Sequence, residues 1–181
     1  YVRHHSIEKS SRVFEAMDRL LGEKIPRTMN LYGLFLLRIA SLLSRRGMAA
    51  VITPAEWLNA DFGVSLKRHL LSENLLDGLV HFDHAASVFD GVLTTASIVL
   101  LRRDRRPDDP VHFNHVSGVV SLRTLDPRKG RELRREGLNA ASKWTPLFSS
   151  PVLRLPTGPR LGDVASCMRG IATGANGYFT L

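Results

Sequence analysis

Seven histidines, one cysteine and a few isolated aromatics are the residues of this 181-residue chain that could do chemistry. His81 and His84 stand three apart, as do His112 and His115, and paired histidines are common metal ligands. Neither pair has an obvious third ligand, so no metal centre is expected. Cys167 is the single cysteine, which excludes an internal disulfide and a Cys-rich zinc site. The G-x-S-x-G elbow of a serine hydrolase is absent. GIATGANG, residues 170–177, is Gly-rich but lacks the Lys-Ser/Thr pair of a nucleotide-phosphate loop. Gly170, Thr173, Gly174 and Asn176 fit a tight turn, either a plain one or one that touches DNA.

Two aromatics stand apart. Tyr1 opens the chain in YVRHH, followed closely by Arg3. Phe89 lies in HAASVFDGV, a polar, Gly-marked loop, with no apolar periodicity of its own. A ring so placed either plugs the top of a core or offers a face to a planar ligand. Pro54 and Trp57, in ITPAEWLN, follow an apolar strand and read mainly as packing. Arg102, Arg103, Arg105, Arg106, Arg128, Lys129, Arg131, Arg134 and Arg135 form a basic run. Such a run is either a phosphate-contacting stripe or a solvated face.

The elements that must position these residues follow from periodicity. Val13, Phe14, Met17, Leu20 and Leu21 recur at helical spacing, and Gly22 can end that helix. Asn30 sits at an N-cap position before LYGLFLLRIASLLSRRG. There Leu31, Leu34, Phe35, Ile39, Leu42 and Leu43 form a broad apolar face, Arg45 and Arg46 fall in the last turn, and Gly47 is the stop. MAAVITP reads as a strand buried on both faces, Leu58–Leu71 as a helix, and GLVHFD and TTASIVLLR as two further strands. VHFNHVSGVVSL offers one more strand or hairpin arm, and DPRKGRELRREGL a basic helix or turn.

That order predicts an α/β domain with a mostly parallel sheet, incomplete on its N-terminal side, whose last two strands pair antiparallel at an edge. Three segments are expected: a catalytic-type α/β part over 1–106, a Pro-bearing connector over 107–158, and the start of another domain over 159–181. The net charge of +8 favours an anionic partner, nucleic acid first. The single cysteine fits a reducing cytoplasm, where the protein is expected, and no apolar run approaches the roughly 20 residues of a membrane span, so no membrane partner is expected.

The stretches NLYGLFLLRIASLLSRRGMAAVITPAEWLNADFGVSLKRHLL and HFDHAASVFDGVLTTASIVLL resemble the gamma-type DNA adenine-N6 methyltransferases of type I and type IIG restriction-modification systems. The likeness runs from Tyr1 to about Arg102. RGIATGANGYF looks like the entry to the target-recognition domain that follows the catalytic domain there. The family hallmark reads Asn-Pro-Pro-Tyr, often continued by Val-Arg, so YVR corresponds to its tail.

The resemblance implies a partial Rossmann-like class I methyltransferase sheet, its C-terminal strands only, leading through a connector into a target-recognition domain. It implies S-adenosylmethionine as cofactor and DNA as substrate, with a restriction endonuclease or specificity subunit as a further partner. Tyr1 and Phe89 would hold an extruded adenine, because a base cannot be reached inside a duplex. Arg3, Gly170, Thr173, Gly174 and Asn176 would lie against DNA. The family's Gly-rich loop and ribose-binding acid lie upstream of the hallmark, so cofactor-binding residues are expected outside this chain and the chain alone is expected to be inactive. Two rival readings stay open: a non-catalytic nucleic-acid-binding module on a methylase-like fold, and an RNA or protein methyltransferase.

Overall fold

The computed structural model describes residues 12–83, 95–149, 158–159, 161–166 and 168. The chain divides into two compact units, residues 1–150 and 151–181. In the second, the described residues include one short helix, α4 (Leu161–Val164).

The first unit begins with α1 (Arg12–Leu21), ended by Gly22 at φ 68°, a left-handed conformation that glycine adopts without a Cβ penalty. α1 buries Phe14 and Met17 and leaves Val13 and Leu20 exposed. α2 spans Leu31–Leu42. It ends before Arg45 and Arg46, which therefore lie beyond its last turn. Asn30 has the extended backbone of an N-cap but makes no side-chain cap bond; its amide donates instead to Glu56 Oε2 at 3.0 Å. α2 is apolar nearly all round. The core takes Gly33, Leu34, Leu36, Leu37 and Ala40, and Phe35 and Leu42 are left outside at 60% and 65% exposure.

β1 (Met48–Pro54) runs into a 3-10 turn, Ala55–Leu58, and then α3 (Gly63–Ser72). The helix expected from Leu58 is thus split in two. A Cβ on Gly63 would stand 1.8 Å from the Trp57 carbonyl oxygen, so the turn and α3 pack backbone to backbone only because this residue is glycine. β2 (Leu76–Phe82), β3 (Ala96–Arg102), β4 (Val111–Val116) and β5 (Arg131–Leu133) complete the sheet, in the order β1-β3-β2-β4-β5.

The pairing corrects the mostly parallel expectation. β3 is antiparallel to β1 and to β2, β4 is parallel to β2, and β5 is antiparallel to β4. HAASVFDGV, between β2 and β3, reads as a loop and offers no crossover helix, so β3 returns as an antiparallel neighbour. β3 does not end at an edge; it inserts between β1 and β2. β1 is the strand at the end of the sheet and is not buried on both faces: Met48, Ala50 and Ile52 are exposed. Residues read as a connector supply β4 and β5.

Strand alternation sends side chains to two faces. On one face Leu79, Val99, Leu101, Val111 and Phe113 join Phe14, Leu36, Leu66 and Trp57 in the main core beneath α1–α3. On the other, Val80, Phe82, Ala96 and Val116 form a smaller cluster with Leu122 and Leu125.

Candidate functional site

β1, β2 and β4 run the same way, so their C-terminal ends share one edge with the start of β3. Ligands of open α/β sheets bind at such an edge. Here a cleft of about 350 Å³ is lined by Glu56 and Asn59 after β1, His81 and Asp83 at the end of β2, Thr95 before β3, His115 on β4, and Thr145 and Phe148. Main-chain bonds fix the frame: Ala55 N donates to Thr95 O at 2.8 Å and Asp83 N to Val116 O at 2.8 Å.

The parallel register sets His81 beside His115, ring centroids 6.0 Å apart. Phe148 covers His81 at 5.0 Å and meets Phe113 at 5.2 Å. Burial lowers the His81 pKa, and the neighbouring His115 adds to the fall, opposed by the Ala96 main chain and Asp83. His81 is therefore a neutral ring at pH 7. The cleft combines an aromatic floor with a rim of amide, hydroxyl and carboxylate groups, which suits a planar ligand with polar edges. Among the described residues no cluster of three or more His, Cys, Asp or Glu stands ready for a metal.

The segment 139–149 forms one wall of the site. Trp144 is fully buried, stacks edge-on against Trp57 at 6.2 Å and donates from Nε1 to Asn139 O at 2.9 Å. Asn59 Nδ2 donates to Thr145 Oγ1. Buried Lys67 donates to Ser142 O at 2.7 Å and Leu58 O at 3.2 Å, with its ammonium 5.3 Å from the Trp144 ring. Trp57 has the packing role read from the sequence: it is buried and donates to Thr53 Oγ1, which meets Ser97 Oγ at 3.1 Å.

Tyr1, Arg3, Phe89, Gly170, Thr173, Gly174 and Asn176 lie outside the described residues. Phe89 belongs to segment 84–94, whose flanking residues Asp83 and Thr95 both line the cleft. Asn59, Thr145 and Phe148 carry no mark of a site in the sequence, and His115 stands out there only through its spacing from His112. The pairing of His81 with His115 depends on a long-range register; the signal that could have found the docked segment is Trp144 and Phe148, four apart in KWTPLF.

The basic run is corrected in part. Arg105 is buried and pairs with Asp77 at 3.2 Å, while its Nη2 donates to Asp109 O and Pro110 O, each at 2.7 Å. Arg102 pairs with Asp77 at 2.9 Å and Asp109 at 3.1 Å. Arg103 donates to Ala40 O, and Arg131 to Leu147 O and Ser149 O. Arg102, Arg103 and Arg105 are turned into the fold, whereas Arg106, Arg128, Lys129, Arg131 and Arg134 are exposed.

Sheet order and cleft define an α/β protein of Rossmann-like restriction-modification methyltransferase fold. The chain shares it with the type I restriction-modification methyltransferase subunit from Streptococcus thermophilus (TM-score 0.50, 17% identity, 74% of this chain and 26% of that one). It shares it also with the type IIG restriction endonuclease BpuSI (TM-score 0.54, 12% identity, 75% and 18%). More particularly, residues 1–89 match the Eco57I restriction-modification methylase family, as the resemblance implied. The chain is 30% identical to the type II methyltransferase M.AccI of Acinetobacter calcoaceticus, over 99% of this chain and 35% of that protein. It is 31% identical to the type II methyltransferase M.XamI of Xanthomonas campestris pv. amaranthicola, over 99% and 34%. The chain thus spans about a third of the length of these curated relatives. Among the described residues no helix is long and apolar enough to cross a membrane.

Proposed function

We propose that this chain forms the acceptor side of an S-adenosylmethionine-dependent DNA adenine-N6 methyltransferase. The observation that carries the reading is the cleft at the C-terminal edge, whose lining includes Asp83 and Thr95, the residues next to segment 84–94 in the chain. The match of residues 1–89 to a methylase family and the curated relatives over nearly the whole chain support it.

Adenine N6 is a weak nucleophile, because its lone pair is delocalised into the ring. Acceptors for its two N–H hydrogens free that lone pair, and a fixed position aims it. The base must leave the duplex to be held this way. Tyr1 and Phe89 are the rings assigned to it, and Arg3, Gly170, Thr173, Gly174 and Asn176 the DNA contacts. The described residues present no Gly-rich strand-to-helix turn with a ribose-binding acid, so they do not fit a site for the methyl donor. Their part is to hold the acceptor. A restriction endonuclease or a specificity subunit is the partner the reading implies.

The test uses the full-length protein that contains this segment. Stacking of a base on an aromatic ring is worth about 1–3 kcal/mol, so Phe89→Ala should slow single-turnover methyl transfer to duplex DNA about 5- to 150-fold. Thermal stability should change little. Undiminished transfer removes Phe89 from the site; methylation of cytosine instead of adenine N6 overturns the acceptor; steeply salt-dependent DNA binding with no transfer at all replaces the enzyme by a binding module.

A further inference from the structure

One face of the sheet turns from apolar to polar as it nears the cleft. Val51, Val99, Leu79 and Phe113 lie side by side across β1, β3, β2 and β4. Two residues nearer the cleft the same register places Thr53, Ser97, His81 and His115. Thr53, Ser97 and His81 are buried, so their polar atoms need partners. The two hydroxyls have them. Trp57 Nε1 donates to Thr53 Oγ1 at 3.2 Å, and Thr53 Oγ1 meets Ser97 Oγ at 3.1 Å. His81 is only 9% exposed and lines the cleft, yet its Nδ1 meets no hydrogen-bond partner among the described residues. A buried polar atom left unpaired costs stability, and a phenylalanine ring would fill the same space without that cost.

The ring is also held in place, with Phe148 over it at 5.0 Å. Burial keeps it neutral at pH 7, so it carries one N–H and no charge. A neutral donor among aromatic rings suits the uncharged edge of a planar heterocycle better than a phosphate. In an adenine whose two amino hydrogens are taken by acceptors, the lone pairs of N1 and N7 remain beside the amino group, and each calls for a donor.

Resting on the methyltransferase reading above, we propose that His81 reads the acceptor base: Nδ1–H donates a hydrogen bond to a ring nitrogen beside the amino group of the extruded adenine. The test uses the full-length protein that contains this segment, with single-turnover methyl transfer and the urea midpoint as paired readouts. His81→Phe should slow transfer about 5-fold or more, because the base nitrogen loses its donor, and should leave the midpoint unchanged or raised. His81→Asn, whose amide nitrogen stands near the place of Nδ1, should recover part of the rate; His81→Gln, which reaches toward the place of Nε2, should not. DNA with 1-deazaadenine or 7-deazaadenine at the target identifies the nitrogen. One of the two should slow the wild type as His81→Phe does, and slow His81→Phe no further. Transfer at the wild-type rate by His81→Phe, recovery by glutamine rather than asparagine, or additive losses with both analogues overturns the proposal. A midpoint that falls together with the rate also overturns it, since His81 would then serve the fold. A wild-type protein that methylates no adenine overturns the methyltransferase reading itself, and this proposal with it.

Discussion

Lys67 is a buried ammonium held by the carbonyls of Leu58 and Ser142 and the face of Trp144. Burial lowers its pKa from the ordinary 10.5 to about 8. The folded chain then loses this proton before the unfolded chain does, so stability rises as pH climbs from about 8 toward 10.5. Below about pH 8 the lysine is charged in both states and the cost of burying it stands in full. Lys67→Met removes that slope. The Leu58 carbonyl keeps the Trp144 main-chain N–H at 3.0 Å, but Ser142 O loses its 2.7 Å donor. At pH 10 the variant should be less stable by about 0.5–1.5 kcal/mol, the net worth of the hydrogen bond lost at Ser142. At pH 7 the gap should be narrower. Urea unfolding at the two pH values measures the difference, and parallel pH profiles for the two proteins would contradict it.

At the scale of elements, the turn between β3 and β4 is organised around one guanidinium. Arg105 donates to Asn74 Oδ1 at 3.0 Å, to Asp77, and to two main-chain carbonyls. Asn74 stands at φ 51°, in the left-handed region, and its amide donates back to Arg105 O and Arg106 O. The residues before β2 and those after β3 are thereby tied at the end of the sheet opposite the cleft. Arg105→Met should cost about 3–5 kcal/mol, because it strands two carbonyls and takes from Asp77 its buried arginine partner, leaving the partly exposed Arg102. Arg105→Lys should recover only part of the loss, since an ammonium cannot reproduce the planar fork. Urea midpoints rank the three proteins; a lysine variant as stable as the wild type would show that charge alone matters there.

For the whole molecule, the notable feature is that, among the described residues, β1 ends the sheet with no strand on its outer side. β1 pairs with β3 on one side, and its outer residues Met48 and Ile52 are 66% and 47% exposed. Exposed, apolar edge strands are templates for pairing with another chain. The 181-residue chain alone should therefore self-associate as its concentration rises. Ile52→Lys should reduce that without lowering the unfolding midpoint, because the added charge points away from the core. Sedimentation velocity separates the outcomes, and an unchanged association state would move the contact elsewhere.

The sequence by itself determined the local elements. β1 and β3 stand where β-branched and apolar runs place them, α1 stops at Gly22, and Trp57 packs as read, because torsional preference, hydrophobic period and turn chemistry act within a few residues. The family was legible for the same reason, in contiguous stretches. Tertiary structure alone decided the rest. Sheet order put β3 between β1 and β2 and β1 at the end, which reversed the burial expected of MAAVITP. Long-range register set His81 beside His115, and the return of segment 139–149 brought Trp144 and Phe148 onto the core. The same folding turned Arg102 and Arg105 inward to Asp77. Each of these depends on a partner many positions away, and periodicity carries no record of which distant residue a side chain will meet.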